Sequence, residues 1–329
     1  MEKNIIAFIL ALLISTIVAP FVIKYTKQLK ASQTILKYVK EHSGKQGTPT
    51  MGGIIFLTSF LVVNLLLLGN DSTLSFVSLA STIAFGILGF LDDFIKIRFK
   101  QNEGLKAYQK IIGQVGISII LAYFVYRFVG SEVFLPFTLA KVDFGFWIIP
   151  FVVFVYLAMV NSVNLIDGLD GLCSGTSISY ILAVVLFLTL FAQKMGFVGL
   201  QMAEINNLVM SCFILIGALS GFVLFNCFPA KIFMGDTGSL ALGGFLTSVL
   251  IFSQNPFMIA LFGIMFVVTA LSDIIQVFVF KTKHKRVFKM APLHHHFQMC
   301  GMHENRIVAV YIVITVAVSL ICIYLTAVL

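Results

Sequence analysis

Apolar residues run along this chain in long blocks, and short polar stretches separate them. The first block, "NIIAFILALLISTIVAPFVI", is about 20 residues long, enough at about 1.5 Å per residue to cross a hydrocarbon core of about 30 Å. Comparable blocks predict ten spans, at roughly 5–25, 51–69, 74–95, 111–130, 145–161, 173–192, 208–226, 238–253, 256–280 and 306–328. The predicted fold class is all-α: a polytopic membrane protein with about ten transmembrane helices, forming a single integral membrane domain over 1–329. The first block is long enough to span and is read as a helix, not as a cleaved signal peptide.

Composition agrees with the pattern. Only 11% of residues are charged and 59% are hydrophobic, whereas a soluble domain carries roughly 25% charged residues. The formal charge of +8 first suggests a nucleic-acid partner. Its placement says otherwise. Segments 24–50, 96–110 and 281–305 hold most of the bases, among them Lys24, Lys37, Lys45, Lys96, Lys106, Lys110, Lys281, Lys285 and Lys289. The alternate connections, near 70–73, 131–144, 193–207 and 254–255, carry only Lys141 and Lys194. The positive-inside bias places the first set in the cytoplasm and both termini outside. The excess charge is therefore topology, with some attraction for anionic headgroups, and no nucleic acid is implied. The five cysteines are odd in number and form no CxxC pair, so they read as free thiols.

Four polar clusters interrupt the apolar pattern, all on the predicted cytoplasmic side. In "GFLDDFIK", Asp92 and Asp93 end the third span, where ionisable residues are rare and usually functional. Adjacent helical positions diverge by about 100°, so one carboxylate could act as base while the other orients or binds metal. Asp92 and Lys96 stand at i,i+4 and are expected to pair. In "NSVNLIDGLDGL", Asn161, Asn164, Asp167 and Asp170 recur every third position. Gly168 and Gly171 favour a broken or tightened turn there, and backbone of that kind at membrane depth lines a cavity or is buried in protein. Asn and Asp together suit a nucleobase and ribose or a divalent ion; the bland alternative is polar glue between helices.

In "FNCFPAKIFMGDTGSLALGG", Asp236 lies between Gly235 and Gly238 just before a span. Free N–H groups at such a helix start favour phosphate. Asp236 could equally be an N-cap or a magnesium ligand. No GK[ST] follows, so this is not a Walker A loop. In "KMAPLHHHFQ", His294, His295 and His296 fall in a basic loop. Three consecutive imidazoles rarely converge on one zinc, and donors to a diphosphate fit better. Hard oxygen ligands without thiolate pairs favour Mg2+. The residues alone thus point to a Mg2+-dependent enzyme acting on a phosphorylated, lipid-linked substrate, by positioning and charge neutralisation.

"GTPTMGG", "LDDFIK", "NSVNLIDGLDGL", "NCFPAKIFMGDTGS" and "APLHHHFQ" occur in order between about Lys45 and Gln298. Together they resemble the phospho-N-acetylmuramoyl-pentapeptide transferases, bacterial plasma-membrane enzymes of the polyprenyl-phosphate N-acetylhexosamine-1-phosphate transferase superfamily. The triple His points to the muramoyl-pentapeptide branch. The resemblance implies transfer from UDP-N-acetylmuramoyl-pentapeptide to undecaprenyl phosphate, with Mg2+, giving lipid I and UMP for peptidoglycan. It also implies a homodimer. It makes Asp92 the candidate base or nucleophile, Asp93 its acidic partner and Asp236 the Mg2+ ligand. It places Asn164, Asp167, Gly168, Leu169 and Asp170 around the uridine, with Phe233 near the base and Asn226, Ser239 and Gln276 on the nucleotide side. Lys45, Thr50, Lys96 and Lys110 join the site, His294 and His295 approach the diphosphate or sugar, and His296 completes the motif. The first basic loop departs from the family by lacking the usual Gly-Pro, and Lys106 stands where a small residue is common. Two rival readings are a UDP-N-acetylglucosamine:polyprenyl-phosphate transferase and a transporter. A transporter would place matching polar breaks near midplane in two repeats. No repeat is visible, and the clusters lie at span ends.

Overall fold

The computed structural model of the chain describes residues 2–29, 47–69, 72–99 and 104–328. Among the described residues, twelve α-helices carry the fold: α1 (Glu2–Gln28), α2 (Gly53–Leu67), α3 (Thr73–Phe99), α4 (Ala107–Phe124), α5 (Ile148–Ile166), α6 (Leu172–Lys194), α7 (Gly199–Asn226), α8 (Gly235–Phe252), α9 (Phe257–Phe262), α10 (Ile264–Lys283), α11 (Leu293–Met299) and α12 (Glu304–Val328). Among the described residues, nine helical segments are long and apolar enough to cross a membrane, and α2 adds a shorter apolar helix. The chain is an all-α, multi-pass membrane protein.

Three elements differ from the sequence expectation. The predicted span 256–280 is broken, because Gly263 separates the short α9 from α10. A Cβ at Gly263 would lie 2.6 Å from the Ile259 carbonyl, so the chain bends where only hydrogen fits. Segment 131–144, expected as a plain connection, contains an antiparallel pair, β1 (Glu132–Phe134) with β2 (Lys141–Asp143). Val133 and Phe134 of β1 are buried, which supplies the apolar anchor that a two-stranded ribbon needs. The His segment, expected as a loop, is the helix α11, with Pro292 just before its first residue, where a missing N–H costs nothing.

The core is arranged around α8. Every residue of α8 is buried except Asp236. Its sequence, "GDTGSLALGGFLTSVLIF", is rich in small side chains, which let neighbouring backbones approach closely in lipid. Gly89 of α3 is one such contact: a Cβ there would stand 2.1 Å from the Asp236 carbonyl. Gly243 lies against Val160 of α5, and Gly238 against Gly53 of α2. Buried hydroxyls tie the same helix to its neighbours, with Tyr156 and Ser248 2.8 Å apart and Tyr180 donating to the Leu246 carbonyl at 3.0 Å. A second seam joins α1 to α7, where Ser15 donates to the Ala218 carbonyl at 2.7 Å. Outward faces remain apolar, as with Ile5, Ile9, Leu13 and Phe21 of α1, which suits contact with lipid tails.

Candidate active site

The end of α3 and the start of α8 meet at the close contact of Gly89. That contact brings Asp92, Asp93 and Asp236 together, each offering one carboxylate oxygen within 4.8 Å of the others. Lys96, one turn beyond Asp92, sits among them. Its Nζ is 2.6 Å from Asp92 Oδ2, 3.0 Å from Asp236 Oδ2 and 3.9 Å from Asp93 Oδ1. Lys110 of α4 also reaches Asp236 Oδ2, at 2.8 Å. The expected Asp92–Lys96 pair is present, and Lys96 and Lys110 both bind Asp236, which the sequence did not suggest.

The two adjacent carboxylates of α3 have different tasks. Asp93 is fully buried. It accepts from the backbone N–H and hydroxyl of Thr237, at 2.9 and 2.7 Å, and from the Asp236 N–H at 3.2 Å. Asp93 therefore caps α8 from another helix, satisfying donors that a helix start leaves unpaired. This corrects two expectations. Asp236 does not cap its own helix, since its carboxylate turns to the lysines and to Asn164. The first amides of α8 do not await a phosphate, because a carboxylate already holds two of them. Asp92 is buried as well, but its partners differ: its Oδ2 faces Lys96 and its Oδ1 accepts the Leu105 N–H at 2.9 Å. Gly104 makes that approach feasible, since a Cβ there would lie 2.6 Å from the Asp92 carboxylate.

The "NSVNLIDGLDGL" segment divides as its glycines suggest. Helix α5 continues to Ile166, residues 167–171 turn, and Gly171 takes φ +75° before α6. Asn164 donates to Asp236 Oδ1 and to Ser239 Oγ, both at 2.8 Å, and so locks the turn to α8. Asn161 instead pairs with Gln114 of α4 and is the polar glue considered for this cluster. Asp170 accepts the Ala230 N–H at 2.9 Å. Burial pushes the Asp167 carboxyl well above its usual range, and Asp236, Asp93 and Asp170 push the same way. Asp167 stands beside Gly168 and the buried Leu169.

The remaining predicted residues are placed as follows. Thr50 is buried at Gly235, with no hydrogen-bond partner for its Oγ1 among the described residues. Its strand-like neighbours clamp the loop before α8: the Gly52 N–H donates to Phe233 O and the Phe233 N–H to Pro49 O, each at 2.8 Å. Asn226 bridges Ser174 and the Ile232 carbonyl, at 3.0 Å each. Gln276 accepts the Val287 and Phe288 N–H groups and braces the loop before α11. Lys45 lies outside the described residues.

Helix α11 leans on the turn. A Cβ at Gly168 would lie 2.4 Å from His294 Nε2 and 3.1 Å from His295 Nε2, so glycine there lets both imidazoles approach the backbone. His295 Nδ1 lies 2.9 Å from Gln298 Oε1. His296 faces elsewhere and accepts the Lys289 N–H at 3.1 Å, so it shapes the loop and does not meet the carboxylates. His294 is fully buried, and neither ring nitrogen has a hydrogen-bond partner among the described residues. Burial, with His295 beside it, holds its pKa well below the ordinary value of 6.5. Below pH 6.5 an unfolded chain binds a proton at this position that the folded chain refuses, so stability falls with falling pH. Its contribution to that slope is at most about 1.4 kcal/mol per pH unit. Thermal unfolding in detergent at pH 7 and pH 5.5 should show His294→Gln with a smaller acid-side drop than wild type; an equal drop would mean His294 protonates normally.

Sequence reasoning missed Thr237, which completes the Asp93 cap, and Glu304, whose carboxylate accepts the Asp170 N–H. Thr237 stands inside "MGDTGS", and Glu304 is an acid at a span margin, the same signal that exposed Asp92.

A carboxylate cluster, lysines and polar turns at the ends of apolar helices define a membrane-embedded transferase, and residues 75–254 match the profile described as glycosyl transferase family 4. Residues 45–57 match the phospho-N-acetylmuramoyl-pentapeptide-transferase signature 1. Similar curated proteins carry that name. One from Clostridium botulinum strain Alaska E43 is 44% identical over 316 residues, 96% of this chain and 94% of its own. One from Thermoanaerobacter sp. strain X514 is 40% identical over 327 residues, 98% and 99% of the two chains. One from Clostridium perfringens strain 13 is 39% identical over 315 residues, 95% and 96% of the two. The chain belongs to the phospho-N-acetylmuramoyl-pentapeptide-transferase family.

Proposed function

We propose that the chain, acting as one integral membrane unit, transfers phospho-N-acetylmuramoyl-pentapeptide from its UDP carrier to undecaprenyl phosphate, releasing UMP and forming lipid I. The observation that carries this reading is the convergence of Asp92, Asp93 and Asp236 with Lys96, the 167–171 turn and the His helix on one set of helix ends. An oxygen of the lipid phosphate attacks the sugar-bearing phosphorus, and the bond from that phosphorus to the oxygen of uridine monophosphate breaks. Asp92 takes the proton of the lipid phosphate. It lies at the end of a span, so a lipid head can reach it without leaving the bilayer. Lys96 and Lys110 supply positive charge where the diphosphate crowds negative oxygens. His294 and His295 are placed as donors to the diphosphate or sugar, and the 167–171 turn with Phe233 holds the uridine.

The donor set suits a magnesium ion, since three hard oxygens lie close together with no sulfur among them. Asp236, the least buried of the three, would be its ligand, and the ion would neutralise charge on the phosphates in transfer. Purified protein supplied with undecaprenyl phosphate and Mg2+ should release UMP from the muramoyl-pentapeptide nucleotide. Equal release from UDP-N-acetylglucosamine would overturn the choice of branch, and no release from either would overturn the reaction. We place the site in the cytoplasm and both termini outside, in a homodimer. A cysteine at Lys285 should then react with an impermeant thiol reagent in inverted vesicles and resist it in intact cells; labelling from outside would reverse the orientation. A cross-link between copies in membranes would report the dimer, and a purely monomeric mass in mild detergent would count against it.

A further inference from the structure

The last span begins where the substrate turn ends. Glu304, the first residue of α12, is 7% exposed, so its carboxylate is held inside the protein at a helix start that favours negative charge. Its Oε1 accepts the backbone N–H of Asp170 at 2.5 Å. Asp170 in turn uses its side chain, Oδ2, to hold the Ala230 N–H in the loop that leads to Phe233 and Asp236. The residue before Glu304 grips the same loop, since His303 packs edge-on against Phe228 with ring centroids 5.3 Å apart. The connection to α11 is also pinned, by Met302 donating to the Phe297 carbonyl at 3.1 Å. One helix entry therefore touches the nucleotide turn, the Phe233 loop and the His helix.

We infer that Glu304 is a positioning residue: it fixes the Asp170 backbone, and through it the spacing between the nucleotide turn and the Phe233 loop that must close on the uridine. The inference rests on the reading that the 167–171 turn holds the nucleotide. The bond to Asp170 acts on the nucleotide turn, so its effect belongs to nucleotide affinity and not to the chemical step.

The test compares three substitutions by steady-state kinetics with the muramoyl-pentapeptide nucleotide varied. Glu304→Gln keeps an acceptor oxygen at the same reach and should keep the wild-type KM. Glu304→Asp withdraws the carboxylate by one methylene, about 1.5 Å, and Glu304→Met removes the acceptor at similar volume. Both should raise KM about tenfold, the scale of one lost hydrogen bond to a charged group, with kcat within about twofold of wild type. If the Met variant does not fold, the Gln and Asp pair decides the matter, since both keep a polar side chain at the helix start. A merely structural role would lower the melting temperature and the active fraction, leaving KM unmoved in the Asp and Met variants; that result overturns the inference. Asp170→Ala serves as the control for the underlying reading. Unchanged KM there would remove the turn from nucleotide binding altogether, and the inference with it. A raised KM in Asp170→Ala with unmoved values in both Glu304 variants would sink the inference alone.

Discussion

Asp92→Asn should cut product formation by at least about 100-fold, the low end for a general base, while nucleotide affinity stays near wild type. The substitution keeps the acceptor that the Leu105 N–H needs and removes the charge that faces Lys96. On the proposed function, nucleotide contacts lie chiefly on the 167–171 turn, so binding is separable from chemistry. Turnover and equilibrium binding of the UDP-sugar, measured on the same preparation, decide the point. Surviving turnover would reduce Asp92 to a helix-end charge. The role could not then pass simply to Asp93, because Thr237 and the Asp236 N–H already engage both of its oxygens. Joint loss of affinity and turnover would move Asp92 into the binding machinery, and with an unmoved lipid KM the base would have to be sought elsewhere.

Asp236→Asn should abolish turnover at every Mg2+ concentration, with the protein still folded in detergent. Asp236 is where two lysine ammonium groups and the Asn164 amide converge. Asn keeps a carbonyl oxygen for some of these bonds but cannot neutralise cations or hold a divalent ion with comparable strength. A loss of at least about 100-fold is expected from removing electrostatic stabilisation of the transferring phosphate. Activity titrated against Mg2+ reads the effect directly. Near-wild-type rates at low Mg2+ would dismiss Asp236 as a metal ligand and leave it as a partner for Lys96 and Lys110.

Much of the architecture was legible because hydrocarbon imposes one demand, a long apolar run, and the chain meets it in separate blocks. The spans around α1, α3, α6 and α12 fall where the runs fall. The break at Gly263 was hidden because an apolar run looks the same whether its helix is continuous or bent. Helix α11 was hidden because seven residues are too few to show a period. In the site, Asp92, Asp93, Asp236 and Asn164 stood out as polar side chains beside apolar runs, and they do assemble. Their division of labour did not show. That Asp93 caps α8 while Asp92 pairs with Lys96 depends on how closely α3 crosses α8, a distance fixed by Gly89 one turn before the acidic pair. Glu304 carried a signal as an acid at a span margin, but its pairing with Asp170, 134 residues away, has no local signature.

Helix α8 also sets limits on how the protein can change. Each of its positions but one is enclosed, and several neighbours stand so near that one added carbon would collide with backbone. Any side chain at Gly238 or Gly243 must push against the backbone of Gly53 or Val160 on the neighbouring helix. Point substitution therefore has little room along this stretch. A molecule that rested against Asp236, the one α8 residue not enclosed, would be held by a backbone the chain cannot reshape without first losing the geometry that its own reaction requires. Escape by mutation would have to come from the rim, at loops and lysines whose side chains still have solvent in which to move.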